Sequence, residues 1–243
     1  YMREFQNSKR RAIVLFIQNE RRNNNKIFHS RSTYDLLNSR LEEITTQVKN
    51  QVDVDLILCS DDPGLMKADL YIKQIGNNFG DKFNNAISET AKLGYDELII
   101  IGNDSPELTS QQIIDSFENI AKEKVVIGPS NDGGIYLLGL SKNNFEATIK
   151  ARWNTSNVKD DLLKQFRFNN ILLLNYLSDI DDESDLVNWF ASGSKTALLF
   201  QRLLSLTNIV KQKLQYKTHN FSTEQNNFRI HTQKAPPHLI TLS

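Results

Sequence analysis

The sequence predicts an α/β fold in which a mostly parallel sheet is covered by helices on both faces. Three observations carry that prediction. Short apolar runs bounded by charge recur at Ala12–Gln18, Val54–Cys59, Leu98–Ile101 and Val125–Ile127, as expected of strands buried on both faces. Longer stretches with apolar residues at helical spacing separate most of them. Two of the runs lead into acidic loops, Gly102-Asn103-Asp104-Ser105-Pro106 and Asn131-Asp132-Gly133-Gly134. In open α/β sheets ligands bind outside the carboxyl ends of the strands, so these acids are the first candidate site.

Taken in order, Ala12–Gln18 is the first strand, and Asn19–Ser30 is a polar, Asn-rich loop. Ser32 can cap a helix to about Lys49, with Leu36, Leu37, Leu41, Ile44 and Val48 on one face. Val54–Cys59 is the second strand, and Leu70–Ile75 is short enough for an edge strand. A helix from Asp81 to about Leu93 buries Phe83, Ala86, Ile87 and Ala91. Leu98–Ile101 follows, with Pro106 stopping its ladder by lacking an N–H donor.

Thr109 and Gln112 form a capping-box pattern, predicting a helix to about Ala121 whose N-terminal dipole favours a nearby phosphate. Asp132-Gly133 between Val125–Ile127 and Ile135–Leu140 predicts that one strand turns antiparallel there. Phe145–Lys150 is expected to be a helix, Trp153–Ser156 a loop, Val158–Phe166 a helix and Ile171–Leu174 a strand. Lys195–Tyr216 carries a wide apolar helical face, and from His219 the chain is Asn/Gln/Thr-rich. The expected organisation is an α/β domain over 1–192 and a C-terminal helix with a polar arm over 193–243, the helix offering a surface for a homodimer.

Lys+Arg and Asp+Glu are equal at 29 each, so no global field recruits nucleic acid or an anionic membrane. Arg10-Arg11 and Arg21-Arg22 make only the N-terminal edge basic. Cys59, the single cysteine, lies in an apolar strand and reads as a buried thiol. The first residues lack the apolar core of a signal peptide, and no apolar run is long enough to span a bilayer. The expectation is a cytoplasmic protein without nucleic-acid partners or membrane insertion.

Four ordered stretches add a resemblance: Gln74-Ile75-Gly76-Asn77-Asn78-Phe79-Gly80-Asp81-Lys82-Phe83, Ile101–Leu108, Gly128–Leu140 and Leu177–Leu186, with Trp153, Thr155 and Val158 at the step before the last. Over about Ala12–Phe190 the chain resembles the bacterial GT-A-like transferases catalogued as a domain of unknown function and labelled radical-SAM/selenodomain-associated transferase 1. These are relatives of the nucleotide-diphospho-sugar transferases. The resemblance implies a three-layer α/β/α, Rossmann-like GT-A sheet and a metal-dependent transferase. Such an enzyme moves a glycosyl or nucleotidyl group from a nucleotide or nucleotide-sugar donor to a small-molecule acceptor.

By the same resemblance Asp104 holds Mg²⁺ or Mn²⁺, and Asp132 is the catalytic residue facing the acceptor. Asn103, Gly133, Gly134 and the basic Arg21, Arg22 and Lys26 are assigned to the donor. The residues alone also allow blander roles: Asp104 as an Asx-turn residue and Asp132 as a hairpin acid, while Asp179, Asp181 and Asp182 suit helix-cap or first-turn acids as well as ligands. The scattered histidines have no ligand spacing.

The chain departs from the family after its first strand, where Asn19–Lys26 replaces a Pro-x-x-Gly-x-x-Lys-Thr-Arg loop. Without that glycine the backbone approaches a phosphate less closely. The alternative function is therefore a degenerate, non-catalytic GT-A-fold binding or scaffolding protein.

Overall fold

The computed structural model describes residues 9–18, 31–122, 124–166 and 170–206. Arg21, Arg22, Lys26, the four histidines and the polar arm lie outside the described residues. The chain divides into two compact units, Tyr1–Ala197 and Leu198–Ser243. Of the second, residues 198–206 are described, and they are helical.

The first unit is built on β1 (Arg11–Phe16), α1 (Arg31–Lys49), β2 (Asp55–Ser60), β3 (Leu70–Lys73) and α2 (Phe79–Lys92). It continues through β4 (Glu97–Ile101), α3 (Ser110–Ile120), β5 (Val125–Pro129) and β6 (Ile135–Ser141). A 3₁₀ turn (Lys142–Asn144), α4 (Val158–Phe166), β7 (Ile171–Leu173) and α5 (Glu183–Ala191) complete it. The sheet has seven strands in the order β3-β2-β1-β4-β6-β5-β7. All neighbours run parallel except β6, which is antiparallel to both β4 and β5. The Asp132-Gly133 turn thus reverses the chain as its composition predicts, and β3 lies at an edge.

Side chains of alternate residues separate into two cores, one on each side of the sheet. Val14, Phe16, Ile100 and Leu138 pack with Phe83, Ala86 and Ile87 of α2 and Leu162 of α4. Ile13, Leu15, Ile99 and Leu137 pack with Leu41, Ile44 and Val48 of α1 and Ile113 and Phe117 of α3. The result is a three-layer α/β/α, Rossmann-like sheet. Cys59 is buried in the first core, where desolvation pushes its thiol up to about 12, so it serves as a small apolar side chain.

Local chemistry shifts several boundaries. The α1 helix already includes Ser32, so that residue is not its cap. Asn78 caps α2 by accepting from the Asp81 N–H, so the helix begins at Phe79, two residues before the expected start. Thr109 and Gln112 form the reciprocal capping box at α3. β4 ends at Ile101, five residues before Pro106, so proline does not terminate it.

The expected helix at Phe145–Lys150 is absent. Distant side chains claim its backbone instead: Asn84 accepts from Ile149 N–H (2.7 Å) and donates to Ile149 O (3.0 Å). Gln165 accepts from Lys150 N–H (2.9 Å) and donates to Thr148 O (2.9 Å). Those bonds hold the segment open and leave it unavailable to an i→i+4 ladder.

At the amino end of the sheet, Glu97 is wholly buried and accepts from Lys9 Nζ and Arg11 Nε, each at 2.9 Å. A buried carboxylate left without its cations is costly, whereas either half-exposed cation alone offsets part of that cost. Arg11→Ala is expected to destabilise the protein by about 1–2 kcal/mol, and Lys9→Ala/Arg11→Ala by about 3–5 kcal/mol. Chemical denaturation of both variants measures the non-additive excess; a double variant equal to the sum of small single losses would overturn this account.

Candidate active site

Where the parallel strands end and β6 begins, the sheet opens into a cleft of about 830 Å³. It is lined by Phe16 and Gln18 after β1, Ile101–Asp104 after β4, Asp132, Gly134 and the start of β6. The chain runs from β1 outward to β2 and β3, then returns to place β4 on the other side of β1. The cleft therefore sits at the topological switch point, where successive loops diverge and leave a crevice.

A strap formed by residues 177–180 crosses the carboxyl ends of β5 and β4. Leu177 N–H donates to Pro129 O (3.2 Å), Asn131 N–H to Leu177 O (3.0 Å), and Ile180 N–H to Asp104 O (2.9 Å). These bonds lower Asp179 between the two acidic loops, where Ser105 Oγ donates to its carboxyl. Burial and the neighbouring Asp104 carboxylate push Asp179 up to about 7. Asp132 adds to the push, while the hydroxyls of Ser105 and Ser130 oppose it.

Asp132 is held by its Oδ1, which accepts from Ser130 Oγ (2.5 Å) and Gly134 N–H (2.9 Å). Its Oδ2 makes no hydrogen bond among the described residues. Ser130 is itself fully buried, so the acid is oriented from below by a fixed hydroxyl. Gly133 has φ +93°, and a Cβ there would lie 2.1 Å from Ser156 O. Glycine is needed for both reasons, and Gly133 O accepts from Lys159 N–H (3.1 Å).

The two loops expected to flank a site do converge: Asp104, Asp132, Asn103 and Gly134 all line the cleft. Asn103 is buried with its amide donated to Asn38 Oδ1 (2.7 Å), which ties the loop to α1. Gly133 makes its close approach to the 153–157 loop and does not line the cleft. Of the three later acids, Asp182 is the N-cap of α5 in a capping box with Asp185, whereas Asp179 and Asp181 line the cleft.

The N-terminus of α3 does not reach the cleft. Thr109 is occupied by Gln112, and Ser110 Oγ donates to Gln47 of α1 (2.9 Å). The helix that presents its first turn there is α2, through Asn78, Phe79 and Lys82.

The sequence offers Asp179 only as one of three acids equally suited to capping or to a ligand, and it does not single out Lys82. The other wall is aromatic: Trp153 stands 5.0 Å from Phe79 and 4.7 Å from Phe83, centroid to centroid, and Phe16 meets both phenylalanines edge-on. A Cβ on Gly80 would lie 2.6 Å from the Trp153 indole, so glycine lets the ring settle on α2.

Residues 46–155 match the model of a family described as "Uncharacterized protein conserved in bacteria (DUF2064)". The match takes in Asp104, Asp132, Lys82 and Trp153, and leaves the strap outside it. Among solved structures, a presumed nucleotide-diphospho-sugar transferase from Desulfovibrio desulfuricans G20 superposes with a TM-score of 0.62 at 19% identity, covering 81% of this chain and 96% of that one. A cytidylyltransferase from Leptospira borgpetersenii gives 0.50 at 9% identity, covering 95% and 100%. A 4-diphosphocytidyl-2C-methyl-D-erythritol synthase from Anaerococcus prevotii gives 0.50 at 10% identity, covering 74% and 95%. The shared feature is the fold of the nucleotide-sugar transferases. No curated protein matches the chain. Among the described residues no helix is long and apolar enough to cross a membrane.

The Asp179 cluster has a pH signature. From about pH 4 to 7 the folded protein holds a proton on Asp179 that the unfolded chain has released, so stability falls across that window and levels off above it. Asp179→Asn keeps an acceptor for Ser105 and removes the charge. In chelator-treated protein at pH 8 it is expected to raise stability by on the order of 1–2 kcal/mol, seen as a melting point a few degrees higher, with little difference at pH 5. An equal effect at both pH values would show that Asp179 is not the titrating group.

Proposed function

We propose that the protein is a metal-dependent transferase that moves a glycosyl or nucleotidyl group from a nucleotide or nucleotide-sugar donor to a small hydroxyl-bearing acceptor. The observation that carries this reading is the convergence of Asp104 and Asp132 in one cleft at the carboxyl ends of the strands. The nucleotide-sugar-transferase fold supports it.

The acids suit Mg²⁺ or Mn²⁺ in the chemistry of their donors, which are hard carboxylate oxygens. Among the described residues no group of three or more His, Cys, Asp or Glu side chains is arranged to hold a metal ion. The proposed cation would be held by the Asp104 carboxylate, with donor phosphates and water completing its shell. Asp104 would hold the ion, which when bound would offset charge on the leaving phosphate.

The side chains supply the rest. Asp132, fixed through Oδ1, offers Oδ2 to orient an acceptor hydroxyl and take its proton. Burial and the Asp104 carboxylate raise Asp179 next to it, which lessens the negative charge that an anionic donor must face. The aromatic wall of Trp153 and Phe79 excludes water from one side of the cleft and presents a face for a planar or pyranose ring.

The second reading is a degenerate binding or scaffolding protein, motivated by the altered Asn19–Lys26 segment. A thermal-shift panel of nucleoside triphosphates and nucleotide sugars, each with and without Mn²⁺, separates the two. The transferase reading expects one donor class to raise the melting point by several degrees only with metal, and Asp104→Ala to abolish that rise. A metal-dependent shift that survives Asp104→Ala would remove the metal assignment. Silence across the panel in a cooperatively melting protein would favour the second reading.

A further inference from the structure

Among the described residues that line the cleft, Lys82 is the only Lys, Arg or His, set against the acids Asp104, Asp132, Asp179 and Asp181. Among the described residues its ammonium makes no ion pair or hydrogen bond. The sequence explains why. On α2 the positions three and four residues away are Phe79, Asn78, Asn85 and Ala86, so it has no acidic partner on its own helix.

Its one acidic neighbour is turned elsewhere: Asp81 Oδ2 accepts from Asn77 N–H (3.2 Å) and Asn78 Nδ2 (2.9 Å). Contrast Lys142, Arg152 and Lys159, each of which meets a carboxylate. The support beneath Lys82 is rigid. Asn84 donates to Gly80 O (2.9 Å) and binds both backbone groups of Ile149, and the Trp153 indole lies against Gly80. A half-buried cation without a partner, presented into a cleft whose other charges are acidic, is arranged for an anion brought from outside. The fourteen-residue α2 helix adds the positive end of its dipole at the same place.

We propose that Lys82 anchors a phosphate of the bound ligand, on the α2 side of the cleft and apart from the carboxylates. The inference deepens the transferase reading and rests on it. It gives the phosphate-binding charge to α2. The phosphate can belong to a nucleotide donor or to a phosphorylated acceptor, and the experiment distinguishes them.

The test is calorimetric titration of the full chain, wild type, Lys82→Met and Lys82→Arg, in the presence of Mn²⁺. Four probes serve: a nucleoside, its 5′-diphosphate, glucose and glucose 1-phosphate. Lys82→Met keeps an unbranched side chain of similar length and removes the charge. The phosphate-bearing probe that binds is expected to lose roughly tenfold or more in affinity in Lys82→Met and to stay within about threefold in Lys82→Arg. The matched phosphate-free probe should be unchanged. Loss confined to the nucleoside diphosphate assigns Lys82 to the donor, and loss confined to the sugar phosphate assigns it to the acceptor.

Equal affinity of Lys82→Met and wild type for every phosphate probe overturns the proposal, as does an equal loss for the phosphate-free partner. If neither phosphate compound binds wild type, the proposal fails. The transferase reading is judged separately by the metal-dependent shift and its loss in Asp104→Ala. Retention of that shift in Lys82→Met, with phosphate affinity unchanged, would sink Lys82 and leave the reading standing.

Discussion

A strand buried on both faces can place polar side chains only at its ends, and β1 and β4 are such strands. Their interiors are occupied by Ile, Val, Leu and Phe that meet helices above and below. Everything ionised is pushed to one rim or the other. At the amino rim the chain neutralises what it has put there, closing Glu97 with two cations. At the carboxyl rim it gathers acids and supplies a single cation, Lys82, among the described lining residues. The asymmetry between the rims separates structural charge from charge available to a ligand.

The insertion of β6 between β4 and β5 makes that second rim into a cleft. Because β6 runs the other way, its first residues stand beside the last residues of β4, and the turn that feeds it brings Asp132 to the same end as Asp104. The strap then brings Asp179 in from the far edge of the sheet, through backbone bonds to the ends of β5 and β4. Three carboxyl groups from three parts of the sequence share one electrostatic neighbourhood. Burial and mutual repulsion decide which of them gives up its charge.

Much of this was legible in the chain. Apolar runs located β1, β2, β4, β5 and β6, and Asp-Gly located the reversal, because burial on two faces and a tight turn each impose local composition. Asp104 and Asp132 were legible as acids at strand ends. What escaped was set by distant partners. Phe145–Lys150 has a passable helical pattern, yet Asn84 and Gln165, from two other helices, take its backbone groups. Nothing near Asp179 records that the strap pairs beside Ser130, so it could not be told from Asp182, which is indeed a cap. Nothing in the sequence around Lys82 records that it lines a cleft with acids from β4, the β5–β6 turn and the strap.

The close approach of Gly133 to Ser156, with Lys159 N–H bonded to Gly133 O, joins the turn that carries Asp132 to the segment that carries Trp153. The two cannot separate without breaking a contact that only glycine permits. That part of the cleft is consequently preorganised: the conformational entropy of setting the acid against the aromatic wall is lost when the chain folds, leaving less to lose on association. Any ordering that accompanies ligand entry has to be taken up elsewhere around the rim.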